Sequence, residues 1–174
     1  YAAFTAASLT QSAGTGDTQF DGAVALSAVG GMQLTTNTVT INSTINTLAG
    51  GNGGVVTITN AGLLDIAAGA DMSLDGAFTQ NGAGVVSTAG DITTTGDAIN
   101  FLTAVTLTDG HAVALSTGAA AIGDGTFQNT LNGTTDFAEN LTLTAGTGSI
   151  LFTGIVGGTK DLGDVLINSA LDVT

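Results

Sequence analysis

Six segments of this chain alternate apolar and polar residues over only five positions before a turn cuts them off. They are TVTIN at 38–42, VVTIT at 55–59, AVTLT at 104–108, AVALS at 112–116, NLTLT at 140–144 and DVLIN at 164–168. Alternation with a period of two is the pattern of a strand with one buried face, and it leaves no room for the 3.6-residue period of an amphipathic helix. Between the segments lie GGNGG at 50–54, NGAG at 81–84, GTG at 146–148, NG at 132–133 and DG at 75–76, 109–110 and 124–125. These are turn signals at spacings of roughly 7–12 residues. Twenty-seven glycines, no proline and abundant Thr and Asn fit the same grammar of short strands and tight turns.

A sandwich would share that local grammar, so the longer period decides. Bulky apolar landmarks recur about every 20–22 residues at Phe20, Ile41, Leu63, Val85, Phe101, Ile122, Leu143 and Leu162. One phrase also returns: AGTGDTQFDGAV at 13–24 reappears as AGTGSILFTGIV at 145–156. Seven positions agree: Ala13, Gly14, Thr15, Gly16, Phe20, Gly22 and Val24 match Ala145, Gly146, Thr147, Gly148, Phe152, Gly154 and Val156, chiefly turn glycines and strand apolar residues. Asp17 and Asp21 do not recur, so what repeats is scaffold, not a polar site. The reading is an all-β parallel solenoid of 20–22 residues per rung and roughly eight rungs, spanning residues 1–174 as one segment. At about 4.8 Å per rung it forms a rod about 40 Å long. The offset of the phrase places Phe20 and Phe152 at the same angular position, six rungs apart.

Composition narrows function by exclusion. Fourteen acids face a single basic residue, Lys160, for a net charge of −13. Binding to nucleic acid is excluded, because neutralising phosphates requires Lys and Arg. An anionic membrane surface is disfavoured for the same reason. No run of 18 apolar residues is present to span a bilayer as a helix. There is no cysteine and only one histidine, which removes disulfides, thiol chemistry and the usual zinc or haem sites. With 43% hydrophobic residues and a mean hydropathy of +0.44, the chain buries a continuous core and is not disordered. The opening YAAFTAASLT has neither an initiator Met nor a basic leader, so residue 1 is expected to lie inside a longer or processed chain.

From residue 40 to 174 the chain resembles the repeats of giant bacterial surface proteins, similar to filamentous haemagglutinin and other large exported β-helical adhesins. The residues that carry the resemblance are GAFTQNGAGVVSTAGDITTTGDAI, within the run beginning VVTITNAGLLDIAAGADMSLD, and the later LTLTAGTGSILFTGIVGG. The resemblance implies a right-handed parallel β-helix, export from a Gram-negative-type cell and a place in surface fibres, adhesion or matrix. It implies no catalytic residues.

Each residue that invites a chemical reading has a plain alternative. His111 follows a DG turn, has no second His or Cys, and reads as a surface residue. Lys160 stands beside Asp161 and near Asp164 and reads as an exposed ion pair. A polysaccharide-active enzyme is weighed because β-helices host such enzymes. A lyase needs more cations than one, and Asp71 with Asp75 or Asp17 with Asp21 would have to serve a hydrolase without tryptophan to stack a sugar. The chain is therefore read as non-enzymatic, with no catalytic residue and no cofactor. Weak Ca²⁺ binding by acids stacked on neighbouring rungs remains an alternative, although GGNGG has Gly54 where a calcium repeat needs Asp. Thr-x-Thr pairs at Thr38/Thr40, Thr57/Thr59, Thr93/Thr95, Thr106/Thr108 and Thr142/Thr144 raise an ice-binding face, but their spacings keep no single period.

Solenoid ends expose unpaired strand edges, and neither AAFTAASLT nor ALDVT reads as a cap. The expectation is a structural subunit or segment of an extracellular filament on a bacterial cell surface, stacked end to end as a homo-oligomer or within a longer chain. The alternative is an adhesin module holding Ca²⁺ or a glycan from a host or cell-surface partner.

Overall fold

The computed structural model describes residues 1–51, 53–120 and 122–174. The chain is a β-solenoid of about seven turns, and each turn lays one strand into each of three parallel sheets. The first sheet runs Phe4–Ala6, Val24–Leu26, Ile45–Asn46, Met72–Leu74, Ile92–Thr94, Ala112–Ser116, Asn140–Thr144 and Val165–Ser169. The second runs Leu9–Gln11, Met32–Thr36, Val56–Asn60, Phe78–Gln80, Ile99–Phe101, Gly125–Phe127 and Ile150–Phe152. The third holds Asp17–Phe20, Thr38–Ile41, Leu64–Ile66, Val86–Thr88, Val105–Leu107 and Leu131–Asn132. The short alternating segments anticipated from the sequence lie in these strands, and helix among the described residues is limited to the single 3₁₀ turn Leu48–Gly50. No helix among them is long and apolar enough to cross a membrane.

Alternation sorts each strand into an inward and an outward set. Inward residues form columns parallel to the axis, because the register between coils is kept. In the second sheet one column reads Gln11, Leu34, Ile58, Gln80, Phe101, Phe127 and Phe152. Its last three rings stack, with centroids 5.4 and 5.2 Å apart and planes within 14° and 12° of parallel. Offset stacking of this kind adds to what burial alone supplies.

The coil period is looser than the landmarks suggest. Phe4 pairs with Val24, 20 residues on, whereas Ile45 pairs with Met72, 27 on, and Ala112 with Asn140, 28 on. The surplus sits in corner loops, since the strands must stay in register while the corners need not. Three landmarks consequently point outward: Leu63, Val85 and Ile122 are 41%, 51% and 80% exposed. Leu63 and Val85 each precede a strand whose first residue, Leu64 or Val86, takes the inward place, and a shift of one residue reverses facing. The repeated phrase also falls differently from expectation. Phe20 lies in the third sheet, in the column of Ile41 and Ile66, whereas Phe152 ends the second-sheet column. AGTG at 13–16 turns the chain from the second sheet to the third, and AGTG at 145–148 turns it from the first to the second. The phrase marks a recurrent strand-and-corner unit, one strand out of angular phase.

Glycine is needed where coils touch at the corners. A Cβ on Gly84 would lie 1.6 Å from the carbonyl oxygen of Gly62 on the coil before it. Beside it a buried polar group closes the same corner. The Gln80 amide donates to Asn60 Oδ1 at 2.8 Å and to the Gly84 carbonyl at 3.1 Å. Its Oε1 accepts from the Leu102 and Thr103 N–H groups and the Thr103 hydroxyl at 3.1–3.3 Å. Among the described residues no buried side-chain polar atom lacks a partner, as a dry core requires.

Two outcomes follow from this corner, with Gly16 at a different corner as the control. In chemical denaturation, Gly84→Ala is expected to cost about 2–4 kcal/mol, because backbone must move to admit the methyl. Gly16→Ala, with nothing within 4 Å of the added atom, should stay within about 0.5 kcal/mol of the parent. Gln80→Met keeps the length but strands the Thr103 N–H, while the Leu102 N–H retains the Gln80 main-chain carbonyl, and a loss of about 1–3 kcal/mol is expected.

Candidate functional site

The residues singled out in the sequence spread along the rod and do not converge. Phe20 and Val24 are core residues at 0% and 1% exposure, Phe152 is half-buried, and Val156 is 39% exposed while bridging to Leu131. Gly14, Gly22, Gly148 and Gly154 abut a neighbouring strand or coil, Gly146 has φ +58°, and Gly16 is in open space. His111 is exposed. Lys160 pairs with Asp136, at 3.0 Å, and not with Asp161 or Asp164; the two partners are 24 residues apart in sequence and meet because their coils are adjacent. The Thr-x-Thr pairs are divided among all three sheets, so they make no single face. Within GGNGG, Asn52 lies outside the described residues.

Most acids have a structural partner one coil away. Asp71 accepts the Asp91 N–H at 3.0 Å, Asp91 the Ala114 N–H at 2.7 Å, Asp75 the Gly53 N–H at 2.6 Å and Asp124 the Ser149 N–H at 2.7 Å. Asn132 and Asn140 do the same for the Thr159 and Asp164 N–H groups, at 2.9 and 2.7 Å. A corner N–H that has left the sheet ladder needs an acceptor, and a short side chain from the adjacent coil reaches it. Scattered single acids are what this use requires. Asp17 likewise binds the Thr38 hydroxyl. Asp21 accepts from Asn42 at 2.8 Å and Gln19 at 2.6 Å, and these bonds hold its carboxyl below the ordinary aspartate range. Among the described residues no three His, Asp or Glu side chains group as metal ligands.

One place departs from the regular coil. After Leu131–Asn132 the chain leaves the third sheet and forms an overhang, residues 133–139, before re-entering the first sheet at Asn140. Its anchor is Glu139, the sole glutamate of the chain, with no exposed surface. The carboxylate accepts the Thr134 hydroxyl at 2.5 Å, the Thr134 and Thr135 N–H groups at 3.1 and 3.2 Å, and the Gly110 N–H of the preceding coil at 3.3 Å. Burial acts to raise its pKa, but these hydrogen bonds outweigh it and hold the carboxyl below the usual glutamate value. Asp136 in the same overhang is lowered by Lys160 and by the Asp161 N–H. Phe137, at φ +64° and 71% exposed, occupies a conformation that bulky residues rarely adopt. Asp109, at φ +63° on the turn below, is the other non-glycine residue with positive φ among those described.

The overhang walls a groove of about 560 Å³ along the outer face of the third sheet. Asp65 and Ser87, paired outward residues of adjacent strands, form its floor with Ala67. The turn Thr108–Gly110 and the overhang, which Glu139 joins at Gly110, complete the lining. Sequence reading marked DG at 109–110 and NG at 132–133 as turns but passed over Glu139. Its signal was the seven-residue gap between strands combined with the chain's only glutamate.

No family model, curated protein or solved structure matches this chain.

The depressed pKa of Glu139 fixes the sign of a pH effect. Its contribution is complete above the unfolded-state value, near 4.3, and is lost as pH falls through the lower folded-state value. Glu139→Gln is therefore expected to lower stability at pH 7 by about 1–3 kcal/mol. The difference between variant and parent should narrow progressively as pH falls below about 4, as read from urea unfolding across that range.

Proposed function

We propose that this chain is a structural segment of an extracellular bacterial surface fibre, of the kind formed by exported β-helical adhesins, extended by stacking coil on coil. The observation that supports this reading is the axial continuity of the three ladders. Each coil presents to the next the same parallel edge in each sheet, so adding a coil adds length without new architecture. Apolar side chains at both end coils, including Leu9 at one and Val165 and Leu166 at the other, offer the surface that a further coil would cover. That further coil belongs either to a longer chain or to a second copy.

A second reading, an adhesin module that binds a partner through a local site, is favoured by the overhang and its groove. Between Ca²⁺ and a glycan as the bound species, the dispersal of the acids favours the glycan.

The net charge of −13 opposes association of copies, and salt screens that repulsion. Stacking is therefore expected to grow with ionic strength. Electron micrographs at physiological salt should show filaments with lengths in multiples of about 40 Å, from eight strands at about 4.8 Å. Discrete monomers at every salt and protein concentration would contradict assembly between copies.

A further inference from the structure

The acids of this protein divide by what they touch. Asp71, Asp75, Asp91 and Asp124 are occupied in joining coils. The carboxylates of Asp65, Asp97, Asp109, Asp161 and Asp164, in contrast, accept no hydrogen bond from the described residues, and of these Asp65 and Asp109 line the groove beside the overhang. Asp65 is half-buried at the centre of the third sheet's outer face, between Thr40 and Ser87. A half-buried carboxylate without a protein donor keeps its acceptor capacity for something that enters from solvent.

The rest of the lining limits what that is. Ser87 and Thr108 add hydroxyls that both donate and accept, and Ala67 and Ala138 add methyl groups. Polar acceptors together with small apolar groups suit a ligand that is itself dense in hydroxyls and has C–H faces. The groove's volume lies within the range of about 300–1,000 Å³ typical of small-ligand sites. No cation lines it, so uronates, sulfated sugars and phosphates meet only negative charge. The wall is fixed in advance, because Glu139 ties the overhang to Gly110, and a preformed wall reduces the ordering cost of binding.

We propose that this groove binds an uncharged oligosaccharide, with Asp65 and Asp109 accepting hydrogen bonds from sugar hydroxyls and Ser87 and Thr108 completing the contacts. The site stands apart from the fibre reading, since a single rod carries it whether or not copies stack.

The test is an amide chemical-shift titration of the whole chain with maltohexaose, cellohexaose and chitohexaose. Hexagalacturonate, a hexa-arginine peptide and calcium chloride serve as competing probes. At least one neutral sugar is expected to shift signals confined to the groove, with millimolar or tighter affinity. The paired substitution Asp65→Asn and Asp109→Asn should weaken that binding about tenfold or more, as loss of hydrogen bonds to charged acceptors implies. Asn is compatible with the left-handed backbone at position 109, and Asp97→Asn, remote from the groove, should leave binding unchanged. Absence of groove shifts with all three neutral sugars at about 10 mM overturns the proposal. So does binding that the paired substitution leaves intact, or a groove that responds to hexa-arginine or Ca²⁺ and not to sugar.

Discussion

Parallel stacking at about 4.8 Å is the constraint from which the rest of this molecule follows. Three ladders hold each coil to the next, and every feature of the sequence has to be compatible with that spacing. Inside, it demands columns of similar size, which Phe101, Phe127 and Phe152 satisfy by stacking. At the corners it brings backbone against backbone, so Gly84 faces Gly62 without room for a methyl group. A proline in these central strands would remove a ladder hydrogen bond, and the chain has none.

The same spacing explains the charge pattern. A corner leaves N–H groups outside the ladders, and the acceptors that satisfy them come from the neighbouring coil, as Asp71 does for Asp91 and Asp124 for Ser149. Carboxylates used in this way are distributed along the rod one by one. Their dispersal makes a calcium site improbable to assemble and gives the acid excess a structural role alongside its effect on solubility. Glu139 applies the same device at larger scale, one buried carboxylate holding a whole overhang to the coil below.

Strands were legible in the sequence because alternation is local: VVTIT and NLTLT carry their facing in five residues. Coil identity was not, because corners absorb insertions at little cost and the coil length runs from 19 to 28 residues. A fixed period therefore drifts out of phase, which is why Phe20 and Phe152 share a phrase but belong to different sheets, and why Val85 faces solvent while Val86 fills the core. The groove was the least legible element. Asp65 and Asp109 are 44 residues apart and come to line one groove only when the coils stack, and nothing in the residue string separates their free carboxylates from those that join coils.

The central claim is that residues roughly one coil apart are lateral neighbours in parallel register, and the absence of cysteine permits a clean test. Thr57 and Thr79 are paired outward residues of adjacent second-sheet strands, at a Cα separation suited to a disulfide. The double variant Thr57→Cys with Thr79→Cys should close a disulfide on mild oxidation with the fold retained, whereas Thr57→Cys with Thr106→Cys, on different sheets, should remain reduced. Ready closure of the second pair and failure of the first would contradict the coil.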